Sequence, residues 1–122
     1  AYHYNNRNKA LVEMLGLRAN ISIFLYQDSV SMHKSFEGLS KMVEESFPGK
    51  LFTQSLFLFF NRKRDCVKML YWDGDGFMIL YKRLEKGSFH KLRNKTSLNR
   101  REFLMLLEGI TPQKLQKRYS HI

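Results

Sequence analysis

The spacing of hydrophobic positions changes along this chain, and each spacing predicts a different secondary structure. Residues 20–26 alternate apolar with polar or aromatic side chains and are rich in β-branched and aromatic residues, which predicts a strand. From Ser31 to Phe47 the apolar side chains recur every three or four residues, the spacing of one helix face. Ser31 is the predicted N-cap of this helix, and Pro48-Gly49 is predicted to end it.

The stretch from Phe57 to Phe89 predicts an antiparallel meander. Three apolar runs, at 56–60, 66–72 and 77–84, are separated by two polar turns. The second turn reads Asp-Gly-Asp-Gly, and Asp-Gly between apolar runs is among the strongest hairpin signals. Residues 88–92 are predicted to add a short further strand.

Pairing of Trp72 with Phe77 across this turn would divide the side chains of two strands between two faces. The more uniformly apolar face is expected to meet the helices, and it holds Val67, Met69, Tyr71, Met78, Leu80 and Leu84, with Lys82 near its edge. The other face mixes aromatic and basic side chains, namely Lys68, Leu70, Trp72, Phe77, Ile79, Tyr81 and Arg83. A slip of one residue would exchange the two faces.

A second helix is predicted after the basic connection at 91–101. Asn99 and Glu102 have the spacing of a capping box, and Gly109 is expected to end the helix. Residues 1–20 are predicted to be poorly ordered or to form a short helix, and residues 111–122 a basic tail. Together the pattern predicts one α+β domain over residues 21–110, with an antiparallel meander of three to five strands packed against two or three helices.

Charge adds a candidate function to this fold. The 122 residues carry 21 Lys and Arg against 11 Asp and Glu, for a net charge of +10. Residues 1–60 hold six basic and five acidic side chains, so the remainder carries a net charge of +9. A basic half favours nucleic-acid binding, and the alternative is a solvated basic surface with no specific partner.

The candidates for nucleic-acid contact are the basic side chains along the hairpins and the connection that follows them. They are Lys34, Arg62, Lys63, Arg64, Lys68, Lys82, Arg83, Lys91, Arg93, Lys95, Arg100 and Arg101. Three adjacent cations at the tip of the first turn make phosphate contact the natural hypothesis for 62–64, with a solvated loop as the alternative. Trp72 and Tyr81 are the aromatic candidates, either for base stacking or for packing at an interface.

The sequence offers little for catalysis or metal binding. Cys66 is the only cysteine, which excludes an intrachain disulfide and fits a reducing cytoplasm. Asp73 and Asp75 could share a hard cation, but the hairpin turn explains them more simply. The four histidines lack ligand spacing, and the apolar run LFLFF is far shorter than the roughly 20 residues that span a bilayer. We therefore expect no enzyme activity, cofactor, metal or membrane partner, and a cytoplasmic location.

Several stretches, taken in order, resemble the TnpB accessory proteins of the insertion sequence 66 family of transposable elements. They are MHKSFEGL at 32–39, RKRDCVKMLYWDGDGF at 62–77, YKRLEKG at 81–87 and LLEGI at 106–110. The pairing of WDGDG with YKRLE is specific, and the resemblance covers residues 21–110. The chain departs from the resemblance at Ser31 and His33, where the family tends to have Asp and Arg. If the patch formed by residues 31, 33 and 34 binds a partner, His33 weakens that contact and Lys34 is left as its cation.

The resemblance implies a non-catalytic protein that is encoded beside a separate transposase and is needed for transposition. Its expected partners are DNA, at the ends of the element, and the transposase and other proteins of the same element. Two hypotheses remain open: a DNA-binding accessory subunit, or a protein–protein adaptor that docks on the transposase without contacting DNA. The sequence leaves the oligomeric state open.

Overall fold

The computed structural model describes residues 21–109, which form one mixed sheet with a helix on each face. The strands and helices are β1 (Ser22–Leu25), α1 (Phe36–Ser46), β2 (Ser55–Phe60), β3 (Cys66–Trp72), β4 (Phe77–Arg83), β5 (Ser97–Leu98) and α2 (Arg100–Leu107). The order across the sheet is β4-β3-β2-β1-β5. β1 pairs with β2 in parallel and all other pairs are antiparallel. The predicted α+β domain with a β2–β3–β4 meander is confirmed.

The pairing of Trp72 with Phe77 is confirmed, and with it the division of side chains between the two faces. The face that bears Met69 packs with α2, whereas the face that bears Leu70 packs with α1. The expectation that the helices share the more apolar face was therefore wrong. The reason lies in β2, whose six residues are all buried, because a central strand with a continuous apolar run needs cover on both faces.

Two predicted boundaries were also wrong. The first helix begins after Ser35, not Ser31, because the Ser31 hydroxyl and carbonyl accept the amides of His33 and Lys34 and so close a separate turn. The last strand is β5, not residues 88–92. Phe89 is instead buried, and its ring lies 5.5 Å from that of Phe60.

The predicted second helix is confirmed together with its cap. The Asn99 side chain accepts the Glu102 amide at 2.7 Å, and the Glu102 carboxylate accepts the Asn99 amide at 3.0 Å. α2 ends at Leu107, two residues before Gly109. The predicted N-terminal helix and basic tail lie outside the described residues. Within residues 21–109 no helix is long and apolar enough to cross a membrane.

Candidate nucleic-acid interface

The turn between β2 and β3 is held by a side-chain clamp at its base. Asn61 Nδ2 donates to Asp65 Oδ1 at 2.6 Å, and the Cys66 amide donates to Asn61 Oδ1 at 3.0 Å. The hydrogen bond from Asn61 lowers the pKa of Asp65, so this carboxylate is ionised at neutral pH. The clamp leaves Arg62 and Lys63 exposed at the tip of the turn.

Arg64, the third cation of this turn, contacts the protein itself. Its Nε donates to the carbonyl of Phe89 at 3.1 Å and its second terminal nitrogen donates to that of His90 at 2.8 Å. The guanidinium carbon lies 4.2 Å from the centroid of the Phe60 ring, and burial lowers the pKa of the group. Arg64 therefore braces the connection after β4, and its contact with phosphate stays a prediction.

An open cleft of about 440 Å³ lies beside this turn, at the end of the sheet where β1, β2 and β4 terminate. We call it the basic cleft. It is lined by residues 29–33 after β1, by residues 61–63 and 65–66 of the turn, and by Tyr81 and Arg83 of β4. The Val30 amide donates to the Phe60 carbonyl at 2.8 Å and holds the first of these segments in place.

The charge lining the basic cleft is mainly positive. Arg62, Lys63 and Arg83 supply three cations, against the single carboxylate of Asp65. His33 also lines the cleft, in the segment where the chain departs from the resemblance noted above. Three cations around one concave surface favour an anionic occupant.

Tyr81 links the basic cleft to two further candidate cations. This residue is 53% exposed, and its hydroxyl donates to the Cys66 sulfur at 3.5 Å, which raises the pKa of Tyr81 and keeps the phenol neutral. Lys68 Nζ lies 5.5 Å from the centroid of this ring and donates to the Lys34 carbonyl at 2.7 Å. Lys34, Lys68 and Tyr81 therefore adjoin the cleft.

The remaining basic candidates lie elsewhere. Lys82 points to the opposite face, where its Nζ donates to the Leu107 carbonyl at 3.4 Å, and Lys95 forms an ion pair with Glu102. The other four are exposed. Lys91 and Arg93 lie in the connection between β4 and β5. Arg100 and Arg101 lie in the first turn of α2, near the edge of the sheet that is opposite β4. The structure thus gathers five of the twelve basic candidates around one site, and a nucleic-acid role for the others stays a prediction.

Trp72 lies at the opposite end of the sheet in an aromatic cluster. Its ring centroid is 5.0 Å from that of Phe52 and 4.9 Å from that of Phe77. Phe52 is 61% exposed, although it was not among the candidates. No periodicity marks Phe52, since it follows the Pro48-Gly49 break in a loop, so only the folded structure brings it to Trp72.

The turn interpretation of the paired aspartates is confirmed. Asp73 Oδ1 accepts the amides of Asp75 at 3.3 Å and Gly76 at 3.1 Å, and Gly74 has a φ of +110° that favours glycine. Within residues 21–109 no group of three or more His, Cys, Asp or Glu side chains could hold a metal ion.

Comparison with known proteins places this chain among transposition proteins. The sequence model of the family described as IS66 Orf2-like protein matches residues 21–117. The chain belongs to the IS66 Orf2-like family. Members are accessory proteins of bacterial insertion sequences.

A curated relative extends this comparison. The chain is 26% identical over 76 residues to a Sinorhizobium fredii protein described as uncharacterized protein y4jC. The match covers 62% of this chain and 65% of the length of that relative. No solved structure matches the chain.

Proposed function

We propose that this IS66 Orf2-like protein binds DNA through the basic cleft as a non-catalytic accessory subunit of a transposition system. The observation that carries the proposal is the convergence of three separate segments on one cleft. Residues 29–33, the 61–66 turn and the end of β4 are far apart in sequence, yet they line a single concave surface with three cations. DNA presents a regular array of phosphates, the anion that such clusters of Arg and Lys contact.

The side chains around the cleft suit a backbone contact better than base-edge readout. Arg62 and Lys63 are exposed on a turn, where they can follow a phosphate backbone. The half-exposed Tyr81 ring offers a face on which an unpaired base can stack, beside the ammonium of Lys68. These features favour binding with little sequence preference.

A salt titration of the full chain on duplex and single-stranded DNA from the ends of the element tests this proposal. Each duplex phosphate that is neutralised contributes a log–log slope of about −0.9, so five cations give a slope of about −4.5. Replacing two cleft arginines, in Arg62→Ala/Arg83→Ala, should reduce the slope by about 1.8. The matched control Arg100→Ala/Arg101→Ala removes the same charge at the opposite edge of the sheet and, if DNA binds through the basic cleft alone, should change the slope little.

Two results would overturn the proposal. One is affinity for both DNA forms that is absent or independent of salt. The other is an equal loss in the two double variants, because binding would then follow net charge and not the cleft.

The aromatic cluster supports the adaptor as a second candidate function. Phe52, Trp72 and Phe77 present aromatic surface on the far side of the molecule from the basic cleft, and aromatic side chains are enriched at protein interfaces. Retention of this chain on immobilised transposase of the same element tests it. The adaptor is supported if Phe52→Ala loses retention on the transposase and keeps its DNA affinity. The first proposal is supported if Arg62→Glu/Lys63→Glu loses DNA affinity and keeps its retention on the transposase.

A further inference from the structure

Within residues 21–109, β4 forms a long, regular edge of the sheet with no strand beside it. β4 has seven residues and pairs on one side with β3, whereas β5 at the other edge has only two. Its pairing with β3 is continuous from Arg83 to Phe77 without a bulge, and it contains no proline. No residue of β4 is fully buried. Regular edges of this kind are templates for pairing with another strand.

The hydrogen bonds at the two ends of β4 show which backbone groups are available. The Leu84 amide donates to the Asp65 carbonyl at 2.7 Å, and the Asp73 amide donates to the Gly76 carbonyl at 3.0 Å. In an antiparallel pair the residues that exchange hydrogen bonds alternate, so the even-numbered residues of β4 bond to β3. The odd-numbered residues therefore direct their N–H and C=O groups outward, where no strand of the described chain lies: Phe77, Ile79, Tyr81 and Arg83.

We propose that β4 pairs antiparallel with β4 of a second copy of this chain, about a two-fold axis at Leu80. In this register Phe77 of one copy faces Arg83 of the other, and Ile79 faces Tyr81. All four outward-directed residues of each strand then exchange hydrogen bonds, for a total of about eight. A shift of two residues in either direction would leave a terminal residue of each strand without a partner residue in the other.

Charge selects a second copy in this orientation. The turn before β4 carries Asp73 and Asp75, whereas the other end of β4 and the residues after it carry Arg83, Glu85 and Lys86. Antiparallel pairing sets Asp73 and Asp75 near Arg83 and Lys86 of the other copy, with Asp75 opposite Glu85, whereas parallel pairing would set both carboxylates of one copy beside those of the other. A two-fold interface requires this kind of self-complementarity.

The side chains of β4 supply apolar contact on both faces of such a pair. Ile79 would pack against the exposed ring of Tyr81 of the other copy on the α1 face, and half-buried Met78 and Leu80 would flank the axis on the α2 face. The axis is perpendicular to the sheet and the two β4 strands run in opposite directions, so the two basic clefts would lie at opposite ends of the paired strands. The dimer itself needs no nucleic acid, and its test is independent of the proposed function.

Light scattering of the full chain without nucleic acid, across a wide concentration range, tests the dimer. We expect a mass approaching twice 14.6 kDa. Ile79→Pro removes an outward N–H that does not pair with any strand of residues 21–109, so it should give a folded monomer. Hydrogen exchange should show protection of the outward amides in the dimer and its loss in this variant.

A charge-reversal cycle gives a second test that does not depend on proline. Arg83→Asp sets a carboxylate diagonally across from Asp75 of the other copy and should weaken the dimer at least about tenfold, and adding Asp75→Lys should restore it, because opposite charges are then again near each other. A monomeric wild-type chain at every concentration would overturn the proposal. Protected outward amides in that monomer would show that another segment of the same chain covers β4. A dimer that resists both Ile79→Pro and Arg83→Asp would equally exclude this interface.

Discussion

Replacing Arg64 tests whether this residue stabilises the fold or contacts DNA. Its guanidinium donates to the carbonyls of Phe89 and His90 and lies over the Phe60 ring. Removing it leaves two carbonyls without their donors and detaches the connection that carries the buried Phe89. We expect Arg64→Ala to lower the stability of the domain and to leave the basic cleft largely intact.

The magnitude follows from these contacts. Each hydrogen bond from the half-buried cation contributes about 1 kcal/mol after a discount for solvent, and the stacking on Phe60 adds roughly 0.5–1 kcal/mol. The loss in Arg64→Ala is thus about 2–3 kcal/mol, a fall in Tm on the order of 10 °C. Arg64 also has a φ of +58°, so Arg64→Gly should recover about 1 kcal/mol relative to alanine.

Urea unfolding followed by circular dichroism measures these differences, and DNA affinity is measured in parallel at low temperature. Arg64→Lys is the informative control, because lysine keeps the charge but cannot donate to both carbonyls. Arg64→Lys should lose nearly as much stability as Arg64→Ala and should retain its DNA affinity. Loss of DNA affinity in Arg64→Ala with less than about 0.5 kcal/mol of destabilisation would refute this assignment, because structural effects of that size are within the range of ordinary surface substitutions.

Three further predictions concern α2 and the buried thiol. Asn99→Ala should cost about 1 kcal/mol in urea unfolding, because it removes the cap of α2, and an unchanged midpoint would contradict this. Burial alone would raise the pKa of Glu102, but the Asn99 amide and the Lys95 ammonium outweigh it and the net shift is downward. The stability that Glu102 contributes is therefore present above its unfolded pKa of about 4.3 and is lost as pH falls through the lower folded pKa. Between neutral and acidic pH, the wild-type chain should lose more stability than Glu102→Gln. Urea midpoints that change in parallel for the two chains would contradict this. Cys66 is 1% exposed, so its thiol should react with a disulfide reagent only as the chain unfolds in urea, whereas fast labelling of the native chain would contradict its burial.

Local sequence patterns predicted much of the fold. The Asp-Gly turn predicted the β3–β4 register, because few backbone conformations join two strands so tightly. The Asn99–Glu102 spacing predicted the start of α2, because a capping box is completed within four residues. Both interactions are short in sequence, and their physical requirements are met by the neighbouring residues alone.

The candidate site was predicted only in part. Charge identified Arg62, Lys63 and Arg83, but it could not separate them from Arg64, whose side chain finds acceptors 25 and 26 residues away. Nor could it show that residues 29–33 lie beside the turn at 61–66, since that contact depends on the parallel pairing of β1 with β2. Parallel pairing leaves no turn signal, because a helix lies between the two strands.

The sequence by itself therefore determined the meander, its register, the cap of α2, the positive charge and the family resemblance, all of which depend on neighbouring residues or on composition. The tertiary structure decided that each face of the sheet carries one helix, that Arg64 faces inward, and that Phe52 meets Trp72. It also decided that three distant segments line one cleft and that β4 is the edge strand of the sheet formed by residues 21–109. These features arise from contacts between residues far apart in the chain, where burial of β2 on both faces outweighs any local preference.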